Sequence, residues 1–145
     1  MLKKLTSFLA GLLLTAAAGA QQAQISEILA RLQTDRIEFR FSCVFTRDTP
    51  VQLSGTLLLQ GGCYRAEGQG MQIYCDGSTR WTVDPAAKEV YVEEPEGLEE
   101  LFALRDALSD IRISDLRFRP LSEDLSVFRF DTAALGPDWV VTDLR

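Results

Sequence analysis

The chain has 145 residues, a formal net charge of −6 and no histidine. An acidic balance disfavours nucleic acid and anionic membrane surfaces as direct partners. The absence of histidine removes both the commonest metal ligand and the commonest general base from the chemistry available to the chain.

Residues 1–20 have the pattern of a signal peptide. Lys3 and Lys4 precede an apolar run, and Ala18-Gly19-Ala20 supplies the small residues typical of a cleavage site. The apolar run is shorter than the about 20 residues that span a bilayer, so an uncleaved anchor is the less favoured alternative. We expect cleavage after about Ala20 and a mature periplasmic protein of formal charge −8, folded as a single domain over residues 21–145.

The first element of the mature chain is predicted to be a helix. Ile25, Ile28, Leu29 and Leu32 recur at the spacing of one helical face, which predicts a helix over 25–35. The helix is short and needs a surface to pack on.

Most of the remaining chain alternates between apolar and polar residues, as strands with one buried face do. Turn signals such as Gly61-Gly62, Asp76-Gly77 and Pro85 separate the segments, and the alternation shifts near Ser114-Asp115. Nine segments have this pattern, 38–45, 51–60, 63–67, 71–75, 78–84, 88–94, 111–120, 126–131 and 138–144, and we expect about eight short strands from them. We expect a mainly β (α+β) fold in which one strongly curved antiparallel sheet forms nearly a barrel.

A second amphipathic helix is predicted over 97–108. Leu98, Leu101, Phe102 and Leu108 fall at helical spacing, and Glu99 lies in the first turn, where it suits the helix dipole. We expect this helix to cover the concave face of the sheet as a lid.

The strand pattern also predicts one bulky apolar face. A packed core is the usual explanation of such a face. The alternative is a concave wall that accepts an acyl chain beneath the lid. The predicted members of this wall are Phe39, Phe41, Phe45, Leu57, Leu59, Trp81, Val83, Phe118 and Phe128, with Trp139 on the same face.

No set of residues in the sequence is typical of a catalytic site. Asp76 and Asp84 lie in tight turns, where aspartate binds its own backbone. Cys75, Ser54 and Ser78 lack a histidine that could activate them. We therefore expect neither an enzyme nor a cofactor or metal site.

The three cysteines are Cys43, Cys63 and Cys75. A three-residue hairpin loop centred on Gln69 would place Cys63 opposite Cys75, with Cβ atoms about 4.5–5.5 Å apart. That spacing is near the range of a disulfide, which an oxidising compartment would favour. The prediction is a Cys63–Cys75 disulfide with Cys43 free, and buried free thiols are the alternative.

Three segments together resemble the periplasmic lipoprotein carrier (LolA-like) family. They are the F-x-F-x-C-x-F strand at 39–45, SGTLLLQGGCYR at 54–65 and GMQIYCDGSTRWT at 70–82. The strongest likeness is D-G-x-T-x-W at 76–81, with G-T-L-x-L at 55–59 before it. The likeness is good over 25–94 and weak beyond, and the short chain looks more like the compact forms of the Bacteroidetes group.

The resemblance implies an incomplete β-barrel with helices as a lid over an apolar cavity. Family members carry the acyl chains of lipoproteins from the inner to the outer membrane. Trp81 and Tyr64 match aromatic positions of the family, whereas the basic residue often found at the end of the second strand aligns near Gly61 and is absent. Implied partners are lipidated proteins or other amphiphiles and an inner-membrane lipoprotein-release transporter. The alternative function is an envelope interaction module with a filled core and no lipid ligand.

Overall fold

The structure, a computed structural model, describes residues 22–46, 48–95 and 107–145. These residues form one eight-stranded sheet that does not close into a barrel, and one helix, α1 (Gln22–Arg31). The strands are β1 (Asp35–Thr46), β2 (Pro50–Gln60), β3 (Cys63–Gly68), β4 (Met71–Cys75), β5 (Arg80–Asp84), β6 (Glu89–Glu93), β7 (Leu108–Pro120) and β8 (Val140–Asp143). The mainly β prediction is confirmed.

The strand order is β7-β1-β2-β3-β4-β5-β6-β8. Consecutive strands from β1 to β6 form an antiparallel meander, and β7 pairs antiparallel with β1. β8 instead runs parallel to β6, so the sheet is mixed and the prediction of a purely antiparallel sheet is wrong. Parallel neighbours require a long connection, and residues 94–139, which include β7, join β6 to β8. Within this connection, residues 121–139 run between the two edges of the sheet.

Helix α1 begins and ends earlier than the predicted 25–35. Ile25 and Ile28 are buried against the sheet as expected, whereas Leu29 is exposed. The helix ends at Arg31 because β1 begins at Asp35, where pairing with Pro120 fixes an extended backbone. The carbonyl of Leu32 accepts a hydrogen bond of 3.0 Å from the backbone N–H of Gly61, which fixes the end of α1 at the β2–β3 turn.

β7 keeps its alternation because it contains two bulges. Its register with β1 shifts once beside Asp115, as the sequence predicts, and once beside Asp110. Each of these aspartates has a positive φ, of +53° and +51°, a conformation that aspartate tolerates better than most residues. The bulges leave Ile111, Ile113, Leu116 and Phe118 on one face of the strand.

The predicted lid helix is wrong at its last position. Leu108 is the first residue of β7 and lies opposite Phe45 on β1. The other predicted lid residues, Leu98, Leu101 and Phe102, lie outside the described residues.

The predicted strand over 126–131 is also wrong. Ser126–Phe128 forms a 3-10 turn, within a connection that we call the C-terminal crossover (residues 121–139). Side chains of the sheet bind its backbone: Arg36 donates to the carbonyl of Asp124 at 3.0 Å and Gln60 to that of Ser122 at 2.8 Å. Because these contacts satisfy polar groups of the backbone, the segment needs no strand partner there.

The two faces of the sheet carry different covers. We call the face on which α1 packs the helix face; it includes Phe39, Leu57 and Ile73. We call the opposite face, beneath residues 121–139, the crossover face; it includes Tyr74 and Val90.

Candidate functional site

The helix face of β7, β1 and β2 is a continuous apolar surface. Because β1 is central among these strands, alternate residues along it lie against apolar partners on both sides. Phe41, for example, lies opposite Ile113 on β7, and Phe39 lies opposite Leu57 on β2. Six of the nine predicted wall residues share this face: Phe39, Phe41, Phe45, Leu57 and Leu59, which are buried, and Phe118, which packs against them partly buried.

The other three predicted wall residues lie on the crossover face, so their assignment to the same wall is wrong. Trp81 and Val83 pack with Val90 in a separate cluster, which also includes Trp139. Phe128 is fully buried near Arg36, whose guanidinium carbon lies 5.1 Å from the centre of the phenyl ring. Strand alternation explains the difference, because Trp81 and Val83 flank Thr82, which pairs with Ile73 of the helix face.

The helix face becomes polar at β5 and β6. Arg80 and Thr82 are buried there, and Arg80 pairs with Glu93 at 2.6 Å. The side chains of this ion pair are only 5% and 15% exposed. The apolar surface is therefore confined to the part of the sheet from β7 to β4.

Helix α1 is too short to cover this apolar surface. It has ten residues and is about 15 Å long, whereas the 12 residues of β1 extend about 40 Å. Its C-terminal end is fixed at the β2–β3 turn, beside the Ile37 end of β1. Leu108 marks the opposite end, where the chain enters β7 beside Phe45.

The predicted disulfide is wrong, because all three cysteines are free thiols. The β3–β4 hairpin turns through two residues, Gln69 and Gly70, with φ of +55° and +73°, rather than through three. Cys75 therefore pairs with Tyr64, and the shift of one residue places Cys63 and Cys75 on opposite faces of the sheet.

Burial raises the pKa of each thiol. The pKa of Cys43 rises to about 12, and those of Cys63 and Cys75 rise from the ordinary value of 9.0. The nearby Asp76 carboxylate raises the pKa of Cys63 further. These thiols therefore carry little thiolate at neutral pH.

The turn roles predicted for Asp76 and Asp84 are confirmed. The Asp76 carboxylate accepts hydrogen bonds from the backbone N–H groups of Ser78 and Thr79, at 3.1 and 2.9 Å. Asp84 accepts one from the N–H of Ala87 at 3.2 Å. Burial alone would raise the pKa of Asp76, but the hydrogen bonds from Thr79 and Ser78 hold it below its ordinary value.

Within the described ranges, no three His, Cys, Asp or Glu side chains are grouped as a metal site would require. Among the same residues, there is no helix with the length and hydropathy of a membrane span. Comparison with models of known protein families gives no match, and comparison with curated protein sequences gives none either.

Proposed function

We propose that the protein is an exported carrier that holds acyl chains of lipidated proteins or other amphiphiles on the helix face of its sheet. The observation that carries the proposal is the extent of the apolar surface formed by Phe39, Phe41, Phe45, Leu57 and Leu59, which is longer than helix α1. The signal-peptide pattern and the resemblance to LolA-like carriers support delivery to the outer membrane.

The lid proposal rests on the connection between β6 and β7. Five strands separate β6 from β7 in the sheet, a distance of about 29 Å if the sheet were flat. A helix over residues 97–106 would be about 15 Å long, and residues 94–96 and 107 would add about 13 Å. Along the strands, Leu108 is level with Phe45 and Glu93 with Ile37, which adds a further separation of about 26 Å. A helical lid therefore requires the sheet to curl, as in an incomplete barrel, and would cross the helix face to reach Leu108.

Binding of an acyl chain is expected to be moderate and reversible. The side chains of the helix face are already buried, so an entering chain replaces protein contacts rather than water contacts. The gain is therefore below the about 0.8 kcal/mol per methylene expected for transfer out of water. A carrier needs this property because it must release its cargo.

The same burial favours the second candidate, an envelope interaction module with a filled core. Phe39 and Leu57 are each only 1% exposed, as in an ordinary core. The two functions differ in one property: a carrier opens its helix face to an apolar ligand, and the module does not.

Displacement of an apolar fluorescent probe by a fatty acid or a diacyl lipopeptide tests the proposal on the mature chain. We expect saturable binding whose affinity Leu101→Glu changes, because a charge on the lid destabilises the closed form. Leu121→Glu adds the same charge at an exposed leucine of the crossover and is the matched control. Wild-type protein that binds neither probe nor lipopeptide would exclude the carrier and favour the filled-core module.

A further inference from the structure

The crossover face carries an open cavity at the end of the sheet formed by β7, β1 and β2. Its volume is about 340 Å³. Eight residues border it: Phe41 and Gly55, together with two arginines and four hydroxyl residues whose side chains lie on the crossover face, Arg40, Arg112, Ser42, Ser54, Thr56 and Ser114. Neither the acyl-binding face nor any sequence motif discussed above accounts for this cavity.

The six side chains form two neighbouring rows across the three strands. Arg40 lies between Ser114 on β7 and Thr56 on β2. In the next row, Ser42 lies between Arg112 on β7 and Ser54 on β2.

The two arginines occupy diagonal positions of adjacent strands, where Cα atoms are about 7–8 Å apart. Two long guanidinium side chains at this spacing can reach one ligand from two sides. Each row also supplies two hydroxyl groups.

The two bulges of β7 bracket these rows. One lies beside Asp115, immediately after Ser114, and the other beside Asp110, two residues before Arg112. Bulges change the direction of neighbouring side chains and are frequent beside binding sites. Here they keep Arg112 and Ser114 on the crossover face although β7 contains two extra residues.

The arginines keep most of their hydrogen-bonding capacity. Arg40 contacts Asp115 at 3.4 Å and Arg112 contacts Asp110 at 3.3 Å, in both cases through Nε. A guanidinium has four further N–H donors on its two terminal nitrogens. Both ion pairs are mostly exposed, so they are weak and an anion of higher charge can compete with them.

We propose that this cavity binds a phosphate group. Guanidinium groups bind phosphate through paired N–H donors, and two of them can contact different oxygens of one tetrahedral anion. Hydroxyl groups donate to the remaining oxygens, which a planar carboxylate would lack. The phosphate belongs either to a small phosphorylated compound or to a lipid headgroup, and it binds on the side of β1 and β2 opposite to the acyl site.

Calorimetric titration of the mature protein with inorganic phosphate and with glycerol 3-phosphate tests the proposal, at low ionic strength with chloride as the reference salt. The test variant combines Arg40→Gln and Arg112→Gln. The matched control combines Arg117→Gln and Arg119→Gln, which removes the same charge from the crossover face outside the cavity. We expect the test variant to bind phosphate at least about tenfold more weakly than wild type, and the control to stay within about twofold.

Vesicle sedimentation distinguishes the two sources of phosphate. Binding to phosphatidylglycerol vesicles, but not to phosphatidylcholine vesicles, that requires Arg40 and Arg112 assigns the cavity to a headgroup. Phosphate binding without vesicle binding assigns it to a small compound. Equal losses of phosphate affinity in the test and control variants would show that binding depends on net charge alone and would overturn the proposal. Absence of binding to phosphate, glycerol 3-phosphate and vesicles would also overturn it.

Discussion

Gly55 on β2 and Gly68 on β3 lie so close together that neither strand could carry a side chain there. A Cβ atom on Gly55 would lie 2.1 Å from the carbonyl oxygen of Glu67, and one on Gly68 would lie 2.4 Å from that of Ser54. Both contacts are with backbone, which cannot rotate away as a side chain can. Pairing between β2 and β3 ends at Thr56, beside this point. The two glycines thus permit the backbones of β2 and β3 to approach closely where their pairing ends. Beyond this point, residues 50–55 of β2 pair with β1.

Gly55→Ala should destabilise the protein, because the added methyl group forces the two strands apart. We expect a loss of about 2 kcal/mol in the free energy of unfolding, measured by urea denaturation. Gly62→Ala is the control, since a Cβ atom at Gly62 meets nothing within 4 Å. Equal effects of the two substitutions would contradict the close approach.

Glu93→Gln should also destabilise the protein strongly. It would remove the carboxylate charge that lies 2.6 Å from the buried Arg80 guanidinium, and breaking a buried ion pair typically costs about 3 kcal/mol or more. Glu67→Gln removes the partner of Arg65 from a pair at 2.5 Å whose side chains are a third or more exposed, and should cost less than about 1 kcal/mol. Urea denaturation of both variants checks the difference. If Glu93→Gln were as mild as Glu67→Gln, the Arg80–Glu93 pair would not be buried in solution.

The mature protein should contain three free thiols. Alkylation under denaturing, non-reducing conditions should modify Cys43, Cys63 and Cys75, as counted by mass spectrometry. In the folded protein at pH 8, Cys63 should react first, since it is the most exposed of the three, and Cys43 should react slowly because burial raises its pKa to about 12. If only one cysteine were alkylated after denaturation, the other two would be joined in a disulfide. That result would contradict the register of the β3–β4 hairpin.

Asp76 should make stability depend on pH in the acid range. Its pKa is lower in the folded chain than the ordinary 3.8, because Thr79 and Ser78 donate hydrogen bonds to the carboxylate. The stabilisation is therefore complete above about pH 4 and is lost as the pH falls through the folded pKa.

Asp76→Asn lacks this titration. We expect the variant to be less stable than wild type at pH 7, with a difference that shrinks between pH 4 and pH 2 in urea denaturation. A difference that stays constant over this range would show that the carboxylate has the same pKa in the folded and unfolded chains.

The local pattern of the sequence predicts most of the strands. β4 matches its predicted bounds, 71–75, and the bulge beside Asp115 is visible as a shift in the alternation. These features depend on neighbouring residues alone, so periodicity and turn residues are sufficient to find them.

The faces of the sheet could not be predicted in the same way, because register depends on the turns. One residue fewer in the turn at Gln69 changes the relation of Cys63 to Cys75 and removes the predicted disulfide. Alternation alone predicts Trp81 on the same face as Phe41, although the four strand pairings between β1 and β5 decide their faces. The cavity on the crossover face has no local signal either, since Arg40 and Arg112 become neighbours only through the pairing of β1 with β7.

The most direct measurement of the central claim is residue-level mapping of a bound acyl chain. The mature protein would be irradiated with a lipopeptide that carries a photoreactive group on its acyl chain, and the adducts identified by tandem mass spectrometry. The carrier proposal predicts adducts on helix-face residues such as Phe39, Phe41 and Leu57, which excess unlabelled lipopeptide suppresses. Adducts confined to Trp81 and Val90 of the crossover face, or no competed adducts at all, would contradict it.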